Sequence, residues 1–486
     1  MAAVEELSAK RQKTEEEPEN EAEKEVSAKR QKTKDEPEND TEEDVSNGQE
    51  KEVEEESEVK TEEEPKEKPS GIPLICGSLN WDLMGREKSR VNSKPRKIEP
   101  AWTPQVMGAL ADVRVTDIIA GPCAAHSFFI TDKGQLYGIG RNENGQLGLG
   151  NTERQDGAVE IPFFRGKTVI GAAVGRSHSV VLTEEEGAFA MGDNEMGQLG
   201  IGSNVGKGSS VTTPKAVQLQ QKVKHAACGF DYSLFVTVKG FLYSAGSSES
   251  GQLGINDNGE YIEGRRLFYS THASPTRVHS FFTRDPRTKE VTRVPNVLIR
   301  YVSAGQHHCL AVSDNDELYT WGFNGHGRLG HRTTENELIP MRVLHFRPGD
   351  KNSCVKIAKC SYGGCFAVNN LGNMYCWGQN QINRLECPYP IPVEDLYGWN
   401  VNDIGPGKNH HVIAADFSSI AMGKATNGEL GLGPSRKSSS RPDKMQKVDG
   451  LKILQVGAGT AHTILLAADD DDEAKEILKK LEVNDD

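Results

Sequence analysis

Histidine and cysteine are the side chains here best suited to metal or nucleophilic chemistry, and the histidines recur at intervals. His126, His178, His308, His410 and His462 each open an apolar, β-prone run. A metal needs side chains converging from one locality, whereas these occupy equivalent places in successive blocks, so packing within a repeated unit explains them better. The nine cysteines are an odd number and form no C-x-x-C pair; Cys360, Cys365, Cys376 and Cys387 lie close in sequence but without zinc-ligand spacing. Gly138-x-Gly140 hints at a dinucleotide fingerprint, yet no helix follows it and the string recurs block after block. Gly206-Lys207-Gly208-Ser209 misses the phosphate-loop pattern. With no nucleophile, base and acid in a recognisable arrangement, the expectation is no catalytic residue, no metal and no cofactor. The chain is read as a binder of macromolecules.

Departures from the repeat are the better guides to what is bound. Between Gly254 and Val297 an insertion stretches the spacing of a glycine motif from 54 residues (200 to 254) to 76 (254 to 330). It contains Tyr261, Arg265, Arg266, Phe268, Tyr269, Phe281, Phe282, Arg284, Arg287, Lys289 and Arg293. Arginine and aromatics are enriched at protein-recognition hot spots; the plainer reading is one long solvated hairpin. Arg86, Lys88, Arg90, Lys94, Arg96 and Lys97 face a single acid, Glu87, and suit phosphates or acidic peptide tails. That stretch lacks aromatics for base stacking, which argues against sequence-specific nucleic-acid reading. A third cluster, read as a loop over 436–447, holds Arg436, Lys437 and Arg441 with Lys444 and Lys447. Each charge run also has the simple reading of a solvated face.

Charge divides the chain. Residues 1–70 carry 26 acids and 12 bases and no Phe, Tyr or Trp. Such a segment cannot bury enough apolar surface to offset its ordering entropy, so it is expected to be disordered. Ser-Ala-Lys-Arg-Gln-Lys-Thr occurs in it twice, placing Lys10, Arg11 and Lys13, then Lys29, Arg30, Lys32 and Lys34, in clusters resembling nuclear-import signals. Charge-balanced low complexity is the alternative. The N-terminus shows no apolar signal region and no apolar run approaches a membrane span, which reads as intracellular, reduced and soluble. At the other end, 469–486 reads as an acidic tail in which Glu473–Leu481 suits one or two helical turns.

The elements that must position these residues come from the repeat itself. A block of the form Gly-x-x-His-Ser, apolar run, Gly-x-Leu-Tyr-x-x-Gly-x-Asn-x-x-Gly-Gln-Leu-Gly recurs, with its closing motif at Gly145–Gly148, Gly197–Gly200, Gly251–Gly254, Gly327–Gly330 and Gly428–Gly431. A degraded copy keeps Met374, Tyr375, Trp377, Gly378 and Asn380. Phe128–Thr131 and Gln135–Ile139 read as a hairpin. Pro214–Val217, Pro275–Val278 and Pro340–Val343 read as outer strands, where proline is tolerated, and Val223–Cys228, Ile299–Ser303 and Ile453–Val456 as innermost ones. Four strands per block is a propeller blade. Ile453–Leu466 lacks its second half, and Leu74–Gly77 looks like that half, so six whole blocks and one shared blade predict an all-β, seven-bladed propeller over 71–468, closed by strands from both ends.

These blocks resemble the regulator of chromosome condensation repeat family across essentially all of 71–468. Asn80–Arg86 (NWDLMGR), Cys123–Ser127 (CAAHS), Trp321–His331 (WGFNGHGRLGH) and Asp395–Trp399 (DLYGW) are similar to one mitotic branch of it. The resemblance implies a monomeric propeller that binds a small GTPase of the Rho or Ral type, as adaptor or guanine nucleotide exchange factor. In the founding member a protruding β-wedge helps release nucleotide, and the 255–296 insertion is a candidate for a similar part. The resemblance also implies mitotic work at centromeres, microtubules and the spindle midzone with chromosomal passenger proteins, from a nuclear and partly cytoplasmic pool. A chromatin-bound exchanger for the nuclear transport GTPase is the third reading, and the acidic tail counts against it.

Overall fold

Alternating apolar runs separated by glycine turns fold, in the computed structural model, into seven blades, each an antiparallel sheet of four strands wound from innermost to outermost, two of them extended by added strands. The structure describes residues 68–81, 98–202, 210–350, 352–379 and 386–484. The six uninterrupted blades begin with the strands Val115–Ile119, Val169–Val174, Val223–Cys228, Ile299–Ala304, Val355–Cys360 and Val401–Pro406. They end with Gln155–Glu160, Val211–Ala216, Thr271–Val278, Glu337–Arg342, Glu386–Pro392 and Ser438–Lys444. The proline-containing segments are outermost and the Val223, Ile299 and Ile453 segments innermost, as expected.

The seventh blade is shared. Its two inner strands, Ile453–Ala458 and His462–Ala467, pair antiparallel with each other, and Ile72–Gly77 adds to the second in the register Ile72↔Ala467, Leu74↔Leu465 and Gly77↔His462. Ala101–Met107 completes it. Every sheet edge that would otherwise face a missing neighbour is thus removed from the ring. The seven innermost strands line one central channel of about 200 Å³.

Each interface between neighbouring blades carries its own apolar cluster. Blades one and two share Phe128, Leu136, Leu147, Phe164, Val181 and Met191; blades four and five share Leu310, Leu318, Phe346, Cys365 and Trp377. Burial of one such side chain contributes about 1.5–3 kcal/mol. The leucine of the glycine motif (Leu147, Leu199, Leu253, Leu329, Leu430) is fully buried each time. The motif's glycines let its loop reach the next blade. Gly145 has φ 76°, and a Cβ there would stand 2.5 Å from Thr212 Cα. The same clasp repeats as hydrogen bonds from Gly150 to the Thr212 carbonyl, Gly202 to Ala273, Asn256 to Leu338 and Gly433 to Trp102, at 2.9–3.0 Å.

Two expectations change in detail. The acidic segment after residue 468, read as a tail with a short helix, packs onto the shared blade. Helix Asp472–Lys479, capped by Asp471 accepting from the Ala474 N–H, sets Ala474, Ile477, Leu478 and Leu481 against Val448 and Leu451. Val483–Asn484 then pairs with Ala101–Met107 as a fifth strand of the shared blade. The insertion after Gly254 is two hairpins rather than one.

Candidate partner-binding surfaces

The repeated histidines form a relay between blades. His126 Nε2 lies 2.7 Å from Ser179 Oγ of the next blade, and Ser179 donates to the Gln146 carbonyl of the first at 2.8 Å. Because the hydroxyl proton is committed to that carbonyl, its oxygen accepts from the imidazole, which fixes the Nε2–H tautomer. His178 meets Ser233 at 3.0 Å, with Ser233 donating to the Gln198 carbonyl at 2.7 Å. His410 meets Thr463 at 3.0 Å, and His462 returns to Ser127 at 2.8 Å, which carries the pattern across the closure. Tyr232 stands in the histidine position of blade three and donates to the His308 carbonyl at 2.7 Å. Burial lowers the His126 and His462 rings to about 3 and His178 and His410 to about 4, all four below the 6.5 of a free imidazole. His126, His178, His410 and His462 thus bond from blade to blade and hold the ring together.

The exposed departures lie elsewhere. In the first part of the insertion, Glu260–Glu263 and Arg266–Tyr269 form a two-stranded sheet that pairs with no blade among the described residues. Gly264 and Arg265 make its turn with φ of 54° and 69°, the signature of a type I′ hairpin. Tyr261 and Phe268 stand opposite each other, their rings stacked at 5.7 Å. Ile262 is 76% exposed and Leu267 50%. An apolar hairpin tipped by Arg265 and Arg266, with no core to bury it, has the composition of a recognition element.

The second hairpin, Phe281–Arg284 with Val291–Val294, is built into blade four. Its first strand runs parallel to Glu337–Arg342 through Phe282↔Met341, and Phe281 packs edge-on against Tyr319 at 5.1 Å. Arg284 binds both oxygens of Glu337, at 2.7 and 3.2 Å, so its charge is used within the fold. Asp285 accepts from the Arg287 and Thr288 N–H groups at 2.7 and 2.8 Å and orders the turn. Arg293 reaches the His279 carbonyl at 3.3 Å.

Beside this hairpin lies a cavity of about 830 Å³ lined by Arg284, Asp285, Lys289, Arg332, Arg342, Arg347 and Asp350 with Leu344 and Tyr389. Arg342 pairs with Glu317 at 2.9 Å, and the Arg332 guanidinium sits over the Tyr389 ring at 5.1 Å. Bases outnumber acids in this groove. Sequence reasoning found Arg284 and Lys289 but missed Arg332, Arg342 and Arg347, which arrive from blade four and the connection beyond it.

Residues 436–447 are largely an outer strand, Ser438–Lys444, rather than a loop. Arg436 is paired with Asp443 at 2.6 Å, and Lys437 lies over Trp102 at 6.0 Å. Arg441 is exposed. The bases of 86–97 and the import-like clusters at 10–13 and 29–34 fall outside the described residues.

The comparisons agree with this architecture. A profile of the RCC1-like domain matches residues 74–465. Protein RCC2 of Homo sapiens is 38% identical over 421 residues, covering 85% of this chain and 79% of that protein. The Danio rerio homolog of RCC2 is 37% identical and covers 85% of this chain and 84% of its own length. Among solved structures, human WBSCR16 aligns with a TM-score of 0.65 at 25% identity over 82% of this chain and all of the other. Prp20p from Saccharomyces cerevisiae, whose structure was described with its binding to Gsp1p and histones, gives 0.61 at 18% over 84% of this chain and 94% of the other, a likeness of fold alone. A matched profile across the whole ring, together with relatives above one-third identity, places the chain in the RCC1-like family of β-propellers.

Proposed function

We propose that this chain is a propeller adaptor that regulates a small GTPase of the Rho or Ral type, and that it uses the Glu260–Tyr269 hairpin as its principal contact. The observation that carries this reading is a stacked Tyr261–Phe268 pair and an exposed Ile262 on a sheet that no blade covers. Family membership supports a GTPase as partner. Exchange activity has a definite physical requirement: moving the GTPase from 1:99 to 99:1 in favour of its nucleotide-free form takes about 10⁴-fold preference for that form. The groove between Lys289 and Arg347 offers an acidic partner segment a second hold. In cells this activity serves chromosome segregation and cell-cycle progression at centromeres and the spindle midzone, from a nuclear pool.

The test is capture of nucleotide-free and GTP-loaded Rho- and Ral-type GTPases by the full chain, followed by nucleotide-release kinetics. Capture of the nucleotide-free form, lost in a Tyr261→Ser/Phe268→Ser variant, is the expected result. Capture without faster release reduces the role to that of an adaptor; equal capture by the variant removes the hairpin as the contact. The bases of 86–97 favour a second role on microtubules or passenger proteins. Their replacement by Gln is expected to abolish microtubule co-sedimentation, and unchanged pelleting would dismiss that role.

A further inference from the structure

The hydroxyl relay lapses over blades four to six, where Cys309, Cys365 and His411 stand in the hydroxyl position, and a different set of side chains gathers where blade four meets blade five. Blade five has Gly364 where five of the seven blades have the histidine, and Cys365 where blades one, two, three and seven have the hydroxyl. The residue opposite Cys365 across the inner strand pair is Cys360. Equivalent pairs are Val174 with Ser179, Ala304 with Cys309 and Ala458 with Thr463, and Cys228 with Ser233 brings one thiol. Blade five thus sets two thiols face to face, which the repeat does not require.

His308 from blade four joins them. One ligand atom each from His308, Cys360 and Cys365 lies within 4.8 Å of the other two, and all three residues are buried. The sulfurs are 3.8 Å apart. Two thiolates on a tetrahedral zinc, each at about 2.3 Å from the ion, stand about 3.8 Å from each other. His308 Nε2 lies 3.1 Å from the Gly364 carbonyl; a cross-strand disulfide would use the thiols alone and leave that contact intact, whereas a metal would exchange it for a ligand bond. Each thiol also reaches a backbone carbonyl, Cys365 Sγ to Arg328 at 3.4 Å and Cys360 Sγ to Ser303 at 3.5 Å, and both would release those protons on binding a metal as thiolates. Cys360 also lines the central channel, beside Ser303, which gives a fourth coordination position a route to solvent. We propose that His308, Cys360 and Cys365 bind one zinc ion and so tie blade four to blade five where the hydroxyl relay stops. Soft thiolates with one imidazole and an open fourth position form a ligand set suited to zinc.

The experiment uses the full chain, purified under reduction and passed through metal-free buffer. Metal analysis is expected to find one zinc per chain, lost in Cys360→Ser and Cys365→Ser and retained in Cys387→Ser, whose thiol lies outside the cluster. Because the serine variants can lose the fold, cobalt(II) is also added to zinc-stripped wild-type chain. A thiolate-to-cobalt absorption band that zinc abolishes supports the site. Absence of that band from the folded wild-type chain overturns it, as does an intact mass two hydrogens lighter that maps to a Cys360–Cys365 disulfide.

Discussion

At Ser179, Ser233 and Thr463 one hydroxyl joins three chain segments, so its loss is felt twice. In Ser179→Ala the His126 N–H and the Gln146 carbonyl both stay buried with nothing to meet, and each such group costs about 1–3 kcal/mol. Denaturant melts are expected to show that loss, with Ser179→Thr restoring part of it. Acid acts on the same residues. Unfolded, these imidazoles titrate near 6.5; folded, His178 and His410 wait until about 4 and His126 and His462 until about 3, because burial penalises the charged ring. Between those values the unfolded chain binds protons that the native chain refuses, so stability falls as pH falls. The urea midpoint is expected to stay flat above pH 7 and to drop steadily from 6.5 toward 4, less steeply in His178→Gln. The histidines were legible as packing residues from their equivalence alone. Their partners were not, since each lies one blade away, 53 residues from His126 to Ser179 and 335 from His462 back to Ser127.

The two hairpins of the insertion have opposite relations to the fold. Glu260–Tyr269 pairs with no blade, so replacing it by a short Gly-Ser link is expected to leave the melting temperature unchanged while GTPase capture disappears. Phe281–Val294 is part of blade four. Arg284→Ala strands Glu337 at a largely buried position and is expected to cost about 1–3 kcal/mol, measurable by thermal melts. In sequence both stretches looked alike, rich in Arg and aromatics. What separates them is the pairing of Phe282 with Met341, a contact 59 residues distant (341 − 282) that no local pattern announces. The basic groove was hidden for the same reason, because Arg332 and Arg347 approach Lys289 only once blade four is assembled. At 436–447 the charge run masked strand periodicity, and two of its bases, Arg436 and Lys437, turn out to be taken up by Asp443 and Trp102.

At the scale of the molecule, the blade count and closure followed from the repeat, because each block must bury its faces on its neighbours and two half-blocks can do so only together. The residues after 468 were harder to place: their acids suggested a solvated tail, while Ile477, Leu478 and Leu481 are too few to announce a docking face. Truncation at Ala468 is expected to lower stability by about 2–4 kcal/mol through the lost apolar cover over Val448 and Leu451, read as a lower denaturant midpoint.

The shared blade also orders events during synthesis. Ile72–Gly77 leaves the ribosome 376 residues before its partner strand region begins at Ile453 (453 − 77). At about 5–20 residues per second the early strands wait roughly 20–75 seconds with an apolar edge unpaired. Premature termination anywhere before the last strand therefore releases an open stack with two sticky ends rather than a smaller propeller, and the nascent chain is a natural client for chaperones until its final turn emerges.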